Sequence, residues 1–248
     1  MKRFFDDSQP LLDPRTIVRV FTKKESRELQ LPRRAIITFQ NADARRLTDG
    51  RESSVVEAWT PFRTLYRLSG TETVVARSFI GGPNVAALVE ELSAFGVEEF
   101  VLWGYCGGIA EDSAIGEIYL ARSAMREDGI SYHYLDSEDD YVLSDWADDW
   151  TPVGIAAGFR VADIWSIDAI YRETEKKIRA YAQRGIAGVE MEVASLYAVC
   201  KAKGLKGIAF LVVSDVFTAG KWVNGFHGKL LREGVKRMAR FMGEEVSR

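Results

Sequence analysis

Three short segments hold side chains whose types and spacing could do chemistry. The triplet Glu190-Met191-Glu192 sets two carboxylates around a methionine. A carboxylate can grip paired hydroxyls and offset positive charge that develops on a bound group. Asp215 stands directly after the apolar run GIAFLVVS at 207–214. A carboxylic acid there could hand a proton to a leaving group, provided its surroundings hold the proton on. The stretch Gly104-Tyr105-Cys106-Gly107-Gly108 follows the apolar run EFVLW, and its glycines would let backbone approach a ligand. Each segment also has a plainer reading. Glu190 and Glu192 could complement the positive end of a helix, and a spacing of two sends them to different sides of one. Asp215 could be a cap or turn residue, and the glycines could be only a tight connection.

The elements that must position these residues alternate in type. Residues 35–39 (AIITF), 63–67 and 73–79 (TVVARSF) read as strands, the last two around the Ser69-Gly70 turn. Gly81-Gly82-Pro83 breaks the chain. A helix follows, because Val85, Leu88, Val89, Leu92 and Phe95 fall at helical spacing, and Gly96 fits its stop. Residues 99–103, 118–122 and 159–165 add strands, and 171–184 is a charged helix. Residues 189–203 read as a helix with Val189, Val193, Leu196 and Cys200 on one stripe. The run 207–214 is a strand of the kind buried on both faces, and 229–242 supplies a closing helix. The acidic, aromatic stretch 134–150 reads as a solvated loop with a few docked aromatics. Residues 1–34 form a polar arm over the surface or a neighbouring subunit. The alternation predicts a layered α/β fold, 1–248 as one domain. Ligands in such folds bind beyond the carboxyl ends of strands, where the three segments fall.

Composition removes several function classes. A chain of 248 residues, 47% of them hydrophobic, can bury a large core without disulfides or metals. A formal charge of −3 argues against a duplex nucleic-acid partner. Two cysteines, Cys106 and Cys200, and two histidines, His133 and His227, offer no metal-ligand spacing, so neither a metal nor another cofactor is expected. The N-terminus is charged, and no run approaches the roughly 20 apolar residues of a membrane span. A soluble, cytoplasmic protein is the expectation.

At the same three segments the chain resembles the nucleoside phosphorylase superfamily, in the branch of uridine phosphorylases and hexameric purine nucleoside phosphorylases. The resemblance runs from about residue 35 to the C-terminus. It rests on Gly81-Gly82-Pro83, GVEEFVLWGYCGGI (96–109), REDGISYHYL (126–135), WSIDAIYRETEKKI (165–178), GVEMEVASLYAV (188–199) and LVVSD (211–215), in family order. It implies one α/β/α domain around a mixed, partly barrel-like sheet. It also implies homo-oligomers built from dimers, commonly hexamers, and cleavage of the N-glycosidic bond of nucleosides. Residue by residue, Glu192 matches the glutamate that grips the ribose hydroxyls, Met191 packs under the sugar, and Glu190 lies near base or sugar. Ile80 replaces a common methionine near the ribose. Trp165 falls where an aromatic ring meets the base, with ordinary core as its plain alternative, and Ser214 neighbours it in the base site. Asp215 matches the general acid of purine-cleaving members, which protonates the leaving base at N7. Thr174 and Lys176 stand where uridine phosphorylases read uracil with glutamine and arginine, and they read it poorly, which tilts the base toward purine.

The resemblance fails at the acceptor. Where the family has a Gly-Asp-Pro turn with an arginine just beyond, this chain reads Phe39-Gln40-Asn41-Ala42-Asp43-Ala44-Arg45, so the turn glycine is missing and Arg45 is the candidate arginine. An Arg-Val-Gly-Ser/Thr pattern becomes Leu102-Trp103-Gly104-Tyr105, which leaves Gly104 and Tyr105 at the acceptor site and removes an arginine that a phosphate dianion needs. Three hypotheses follow. Water, or a bulkier or uncharged group, accepts the sugar; or phosphate does so through another basic set such as Arg45, Arg63 or Arg77; or the protein binds nucleosides without catalysis. Hydrolysis ranks slightly ahead of phosphorolysis, and the Glu192–Asp215 pair argues against the third. His133 carries no assigned catalytic role.

Overall fold

The computed structural model describes residues 4–50, 52–60, 63–218 and 220–247, so the first three residues of the arm lie outside the described residues. The strands are β1 (Arg34–Thr38), β2 (Ser53–Thr60), β3 (Arg63–Leu68), β4 (Thr73–Arg77), β5 (Glu99–Gly108), β6 (Ile118–Glu127), β7 (Tyr141–Leu143), β8 (Arg160–Ile167), β9 (Ile186–Glu190), β10 (Lys206–Thr218) and β11 (Lys221–Asn224). The helices are α1 (Pro14–Thr22), α2 (Asn41–Thr48), α3 (Gly82–Ser93), α4 (Ser131–Tyr134), α5 (Ala147–Ala156), α6 (Glu175–Gln183), α7 (Val193–Lys203) and α8 (Lys229–Phe241). Five strands close on themselves. β5 pairs β10 in parallel, β10 pairs β6 antiparallel, β6 and β8 run parallel, β8 and β9 run parallel, and β9 returns antiparallel to β5. From this mixed barrel the sheet opens outward through β1, β4, β3 and β2.

The apolar runs read from the sequence are the barrel's spine. On β5, Phe100 and Leu102 enter one core cluster, and Val101 and Trp103 enter another. β10 divides in the same way, with Ala209, Leu211 and Val213 on one side and Ile208, Phe210 and Val212 on the other. Alternation that is apolar on both faces requires cover on both sides. Helices α3 and α7 supply it on one side. Trp146 and Trp150 with Leu231, Val235, Met238 and Phe241 of α8 supply it on the other. The result is the expected α/β/α layering with a barrel-like mixed sheet. The charged α6 carries no fully buried residue and begins at Thr174, whose hydroxyl accepts the Lys177 N–H.

Five local expectations are corrected. The glycine-rich stretch is not a turn, because β5 runs through it to Gly108. Residues 189–203 are not one helix; β9 ends at Glu190, and α7 starts at Val193. Asp215 does not follow β10 but lies inside it, and β6 runs five residues past its expected end, to Glu127. The acidic stretch 134–150 holds the short strand β7 and the start of α5, with Trp146 and Trp150 buried edge to face at 5.5 Å. The arm packs on its own chain: α1 is capped by Asp13 and buries Val18, and Leu29 and Leu31 join the core. No helix among the described residues is long and apolar enough to cross a membrane.

Candidate active site

A cavity of about 940 Å³ opens at the carboxyl ends of the barrel strands, between β5, β9, β10 and α8. Its volume lies in the range of roughly 300–1,000 Å³ usual for small-molecule sites. Glu190, Met191, Glu192, Ser214, Asp215, Ile80 and Tyr105 all line it. Residues far apart in sequence are therefore brought together as the three segments implied.

The Glu190-Met191-Glu192 triplet is the link from β9 to α7, and its two carboxylates do different work. Glu190 accepts the Glu192 N–H at 2.6 Å and the Val193 N–H at 2.9 Å, and it receives the Ser166 hydroxyl. Ser166 in turn accepts the Ala194 N–H at 2.9 Å. Together they satisfy the first turn of α7, as the plainer helix-end reading of Glu190 proposed. Glu192 reaches the other way and accepts the Gly81 N–H at 2.6 Å. Gly81 sits at φ 104°, a backbone region that disfavours a side chain and here presents its N–H to the carboxylate. Burial holds both glutamates above the usual carboxylate range.

Asp215 is aimed by an irregularity in β10. The register against β5 shifts between Val213 and Asp215, which makes Ser214 the extra residue and sets Asp215 opposite Gly107. Such bulges re-aim side chains beside sites. Asp215 Oδ1 accepts the Ser214 hydroxyl at 2.6 Å, and Oδ2 accepts the Trp222 indole N–H at 2.7 Å. A carboxyl group has about four acceptor positions, so room remains for a proton or a ligand. A Cβ at Gly107 would stand 3.2 Å from Asp215 Oδ2 and 3.1 Å from the Phe217 ring, so a side chain there would crowd Asp215 and Phe217 and make them shift.

The rebuilt end of the cavity is organised by a residue the sequence reading passed over. Asp43 of α2 is 1% exposed and accepts the Tyr105 hydroxyl at 2.6 Å. Arg46 lies 3.3 Å from its other oxygen. Burial raises the Asp43 carboxyl, and burial beside Asp43 raises the Tyr105 phenol. Arg46, not the expected Arg45, lines the cavity, and Arg232 and His227 of the α8 region join it. Adjacent helical residues point about 100° apart, so only the orientation of α2 decides between the two arginines.

Other candidates stand elsewhere. Trp165 is fully buried in a cluster with Met125, Ile167 and Ile186 and meets Tyr181 edge to face at 4.7 Å, so its plain core reading applies and it does not line the cavity. Replacing Trp165 with Ala should cost about 3–5 kcal/mol of stability in denaturant melts, whereas Trp165→Phe should leave substrate KM unchanged. Gly104 is outside the lining; a Cβ there would press on Leu102 and Leu211 at 3.0 Å, so close packing explains it. Arg63 pairs with Glu91 at 3.1 Å, and Arg77 stacks on Phe79. Thr174 and Lys176 belong to α6 and its cap, while their neighbour Glu173 lines the cavity. Leu102 is buried in the core, and His133 stacks on Phe4 at 5.2 Å. Among the described residues, no three His, Cys, Asp or Glu side chains are grouped to hold a metal ion.

Comparison with known proteins places this geometry. The family model of the phosphorylase superfamily matches residues 39–246. The guanosine phosphorylase of Halorubrum lacusprofundi is 30% identical over 182 residues, 72% of each chain. A DeoD-type purine nucleoside phosphorylase of Clostridium beijerinckii is 27% identical over 178 residues, 67% of this chain and 74% of that one. The crystal structure of purine nucleoside phosphorylase from Toxoplasma gondii in complex with immucillin-H superposes with a TM-score of 0.78 over 97% of this chain and 98% of that one. At 15% identity, that superposition concerns the fold alone.

Proposed function

Because the chain belongs to the phosphorylase superfamily, we propose that it cleaves the N-glycosidic bond of purine nucleosides, with Asp215 as the acid on the leaving base and Glu192 on the ribose. One observation carries this reading: Glu192 and Met191 from the β9–α7 link and Asp215 from the β10 bulge line one cavity of nucleoside size. As the glycosidic bond lengthens, the sugar gains oxocarbenium character and the base gains electrons. The Glu192 carboxylate offsets the first charge while accepting the 2′- and 3′-hydroxyls. A proton from Asp215 to purine N7 neutralises the second. The similar proteins named above, whose names specify guanosine and purine nucleosides, support the choice of base.

Phosphate is the acceptor that those names support, and Arg46 and Arg232 are the cavity's arginines for it. This reverses the order drawn from Leu102 and Tyr105 alone, since the cavity supplies a basic pair that the sequence reading had not assigned. Removing a charge-assisted contact costs about 1.5–3 kcal/mol, so Arg46→Ala and Arg232→Ala should each raise the KM for phosphate about tenfold or more in initial-rate assays. Hydrolysis is the second reading, and the Asp43–Tyr105 hydrogen bond favours it. An anion arriving there meets a buried carboxylate, whereas water could lose a proton to it. The sugar product separates the two. Ribose 1-phosphate formed only when phosphate is present sinks hydrolysis, and free ribose formed without phosphate sinks phosphorolysis.

A further inference from the structure

Of the carboxyl groups lining the cavity, Glu190, Glu192, Asp43 and Asp215 are each engaged by donors of this chain. Glu173 is different. It lies half-buried in the lining, on the turn between the short helical segment Ile170–Arg172 and Thr174, the cap of α6. Its backbone N–H bonds to the Ile170 carbonyl, but among the described residues its carboxyl group has no hydrogen-bonding or ion-pairing partner. Asp215 lines the same cavity, and burial together with the Asp215 charge pushes Glu173 up to about 7. A carboxyl group left unpaired beside another carboxyl is unfavourable in a cavity unless a ligand supplies donors.

Resting on the purine-nucleoside reading of this cavity, we infer that Glu173 is the specificity-determining residue for the base, and that it selects 6-oxopurines over 6-aminopurines. The reasoning follows the edge of the purine. With Asp215 at N7, the next positions along that edge are the substituent at C6 and then N1. A 6-oxopurine carries a hydrogen on N1, and guanine adds an amino group at C2, so both donors can meet the Glu173 carboxylate. Adenine offers a lone pair at N1, which the ionised carboxylate, the form Glu173 holds above about pH 7, opposes. Sites built to accept a particular N–H discriminate strongly against analogues lacking it, because the buried polar group is then unpaired. Thr174 and Lys176, which stand where uridine phosphorylases read uracil, do not line the cavity, whereas their neighbour Glu173 does.

The test compares kcat/KM for guanosine, inosine, adenosine and 1-methylguanosine with the intact protein about one pH unit above 7, where Glu173 is ionised. Guanosine and inosine should exceed adenosine by about 100-fold, and methylation at N1 should cost guanosine a similar factor. In Glu173→Gln the amide can donate to adenine N1 and accept from its amino group, so the guanosine-to-adenosine ratio should fall at least about tenfold while adenosine cleavage persists. Equal cleavage of guanosine and adenosine by the unaltered protein overturns the inference, as does an unchanged ratio in Glu173→Gln. The nucleoside comparison needs no variant, so a poorly folding substitution leaves the inference exposed to refutation. Failure to release base from every nucleoside would instead refute the purine-nucleoside reading itself, and this inference with it.

Discussion

Asp215→Asn loses at least about two orders of magnitude in kcat on purine nucleosides, the scale expected when a general acid is removed. The amide keeps the shape of the side chain. It can still accept the Ser214 hydroxyl or the Trp222 indole N–H, which stand 2.6 and 2.7 Å from the two carboxyl oxygens. What it cannot do is give up a proton of carboxylic acidity to the base. Binding should therefore survive, with KM changing far less than kcat. A substrate whose base leaves readily without protonation supplies the control, and its rate should fall much less. Near-normal turnover of purine nucleosides by the variant would remove Asp215 from the mechanism.

Glu192→Gln should lower kcat/KM by about 10- to 100-fold, from the loss of about 1.5–3 kcal/mol in charge-assisted hydrogen bonds and of the negative charge facing the developing cation. The Gly81 N–H now held at 2.6 Å can still bond to the amide oxygen, so the local chain need not move. Two further readouts tie the loss to the sugar. The gap between guanosine and 2′-deoxyguanosine should narrow in the variant, because only guanosine has a 2′-hydroxyl that loses its charged partner. Burial also raises Glu192 above the ordinary carboxylate range. Its ionised form is therefore lost as pH falls through that raised value, at a higher pH than for an exposed glutamate. The acidic limb of kcat/KM should lie toward neutrality in the unaltered protein and shift or vanish in Glu192→Gln.

Much of this site can be read from sequence, and the parts that cannot have physical reasons. Glu192 and Asp215 stand at junctions that both pattern and resemblance mark, and both line the cavity. β9 is hidden because its five buried residues run on into an apolar helix, and Val189 falls on that helix's stripe. The glycines of β5 look like a turn because glycine weakens strands. Here Gly107 lets Asp215 and Phe217 of the neighbouring strand approach closely, since a Cβ would stand 3.1–3.2 Å from them. At the acceptor end the replacement Tyr105 is visible in the sequence, but its partner Asp43, sixty-two positions away, is not. The choice of Arg46 over Arg45 and of Glu173 over Thr174 turns on a single residue of rotation, which spacing alone does not set. Trp165 shows the opposite limit, since an aromatic residue at a family position can be plain core.

The proposed chemistry of this cavity is cleavage of the bond between purine and ribose. Release of free base is the direct measurement: the purified protein is incubated with guanosine, inosine, adenosine, uridine and cytidine in phosphate buffer, and the bases are separated and quantified. Purine base should appear from at least one purine nucleoside, at a rate that Asp215→Asn cuts about 100-fold or more, with little or none from the pyrimidines. Saturable nucleoside binding without release of any base would contradict it.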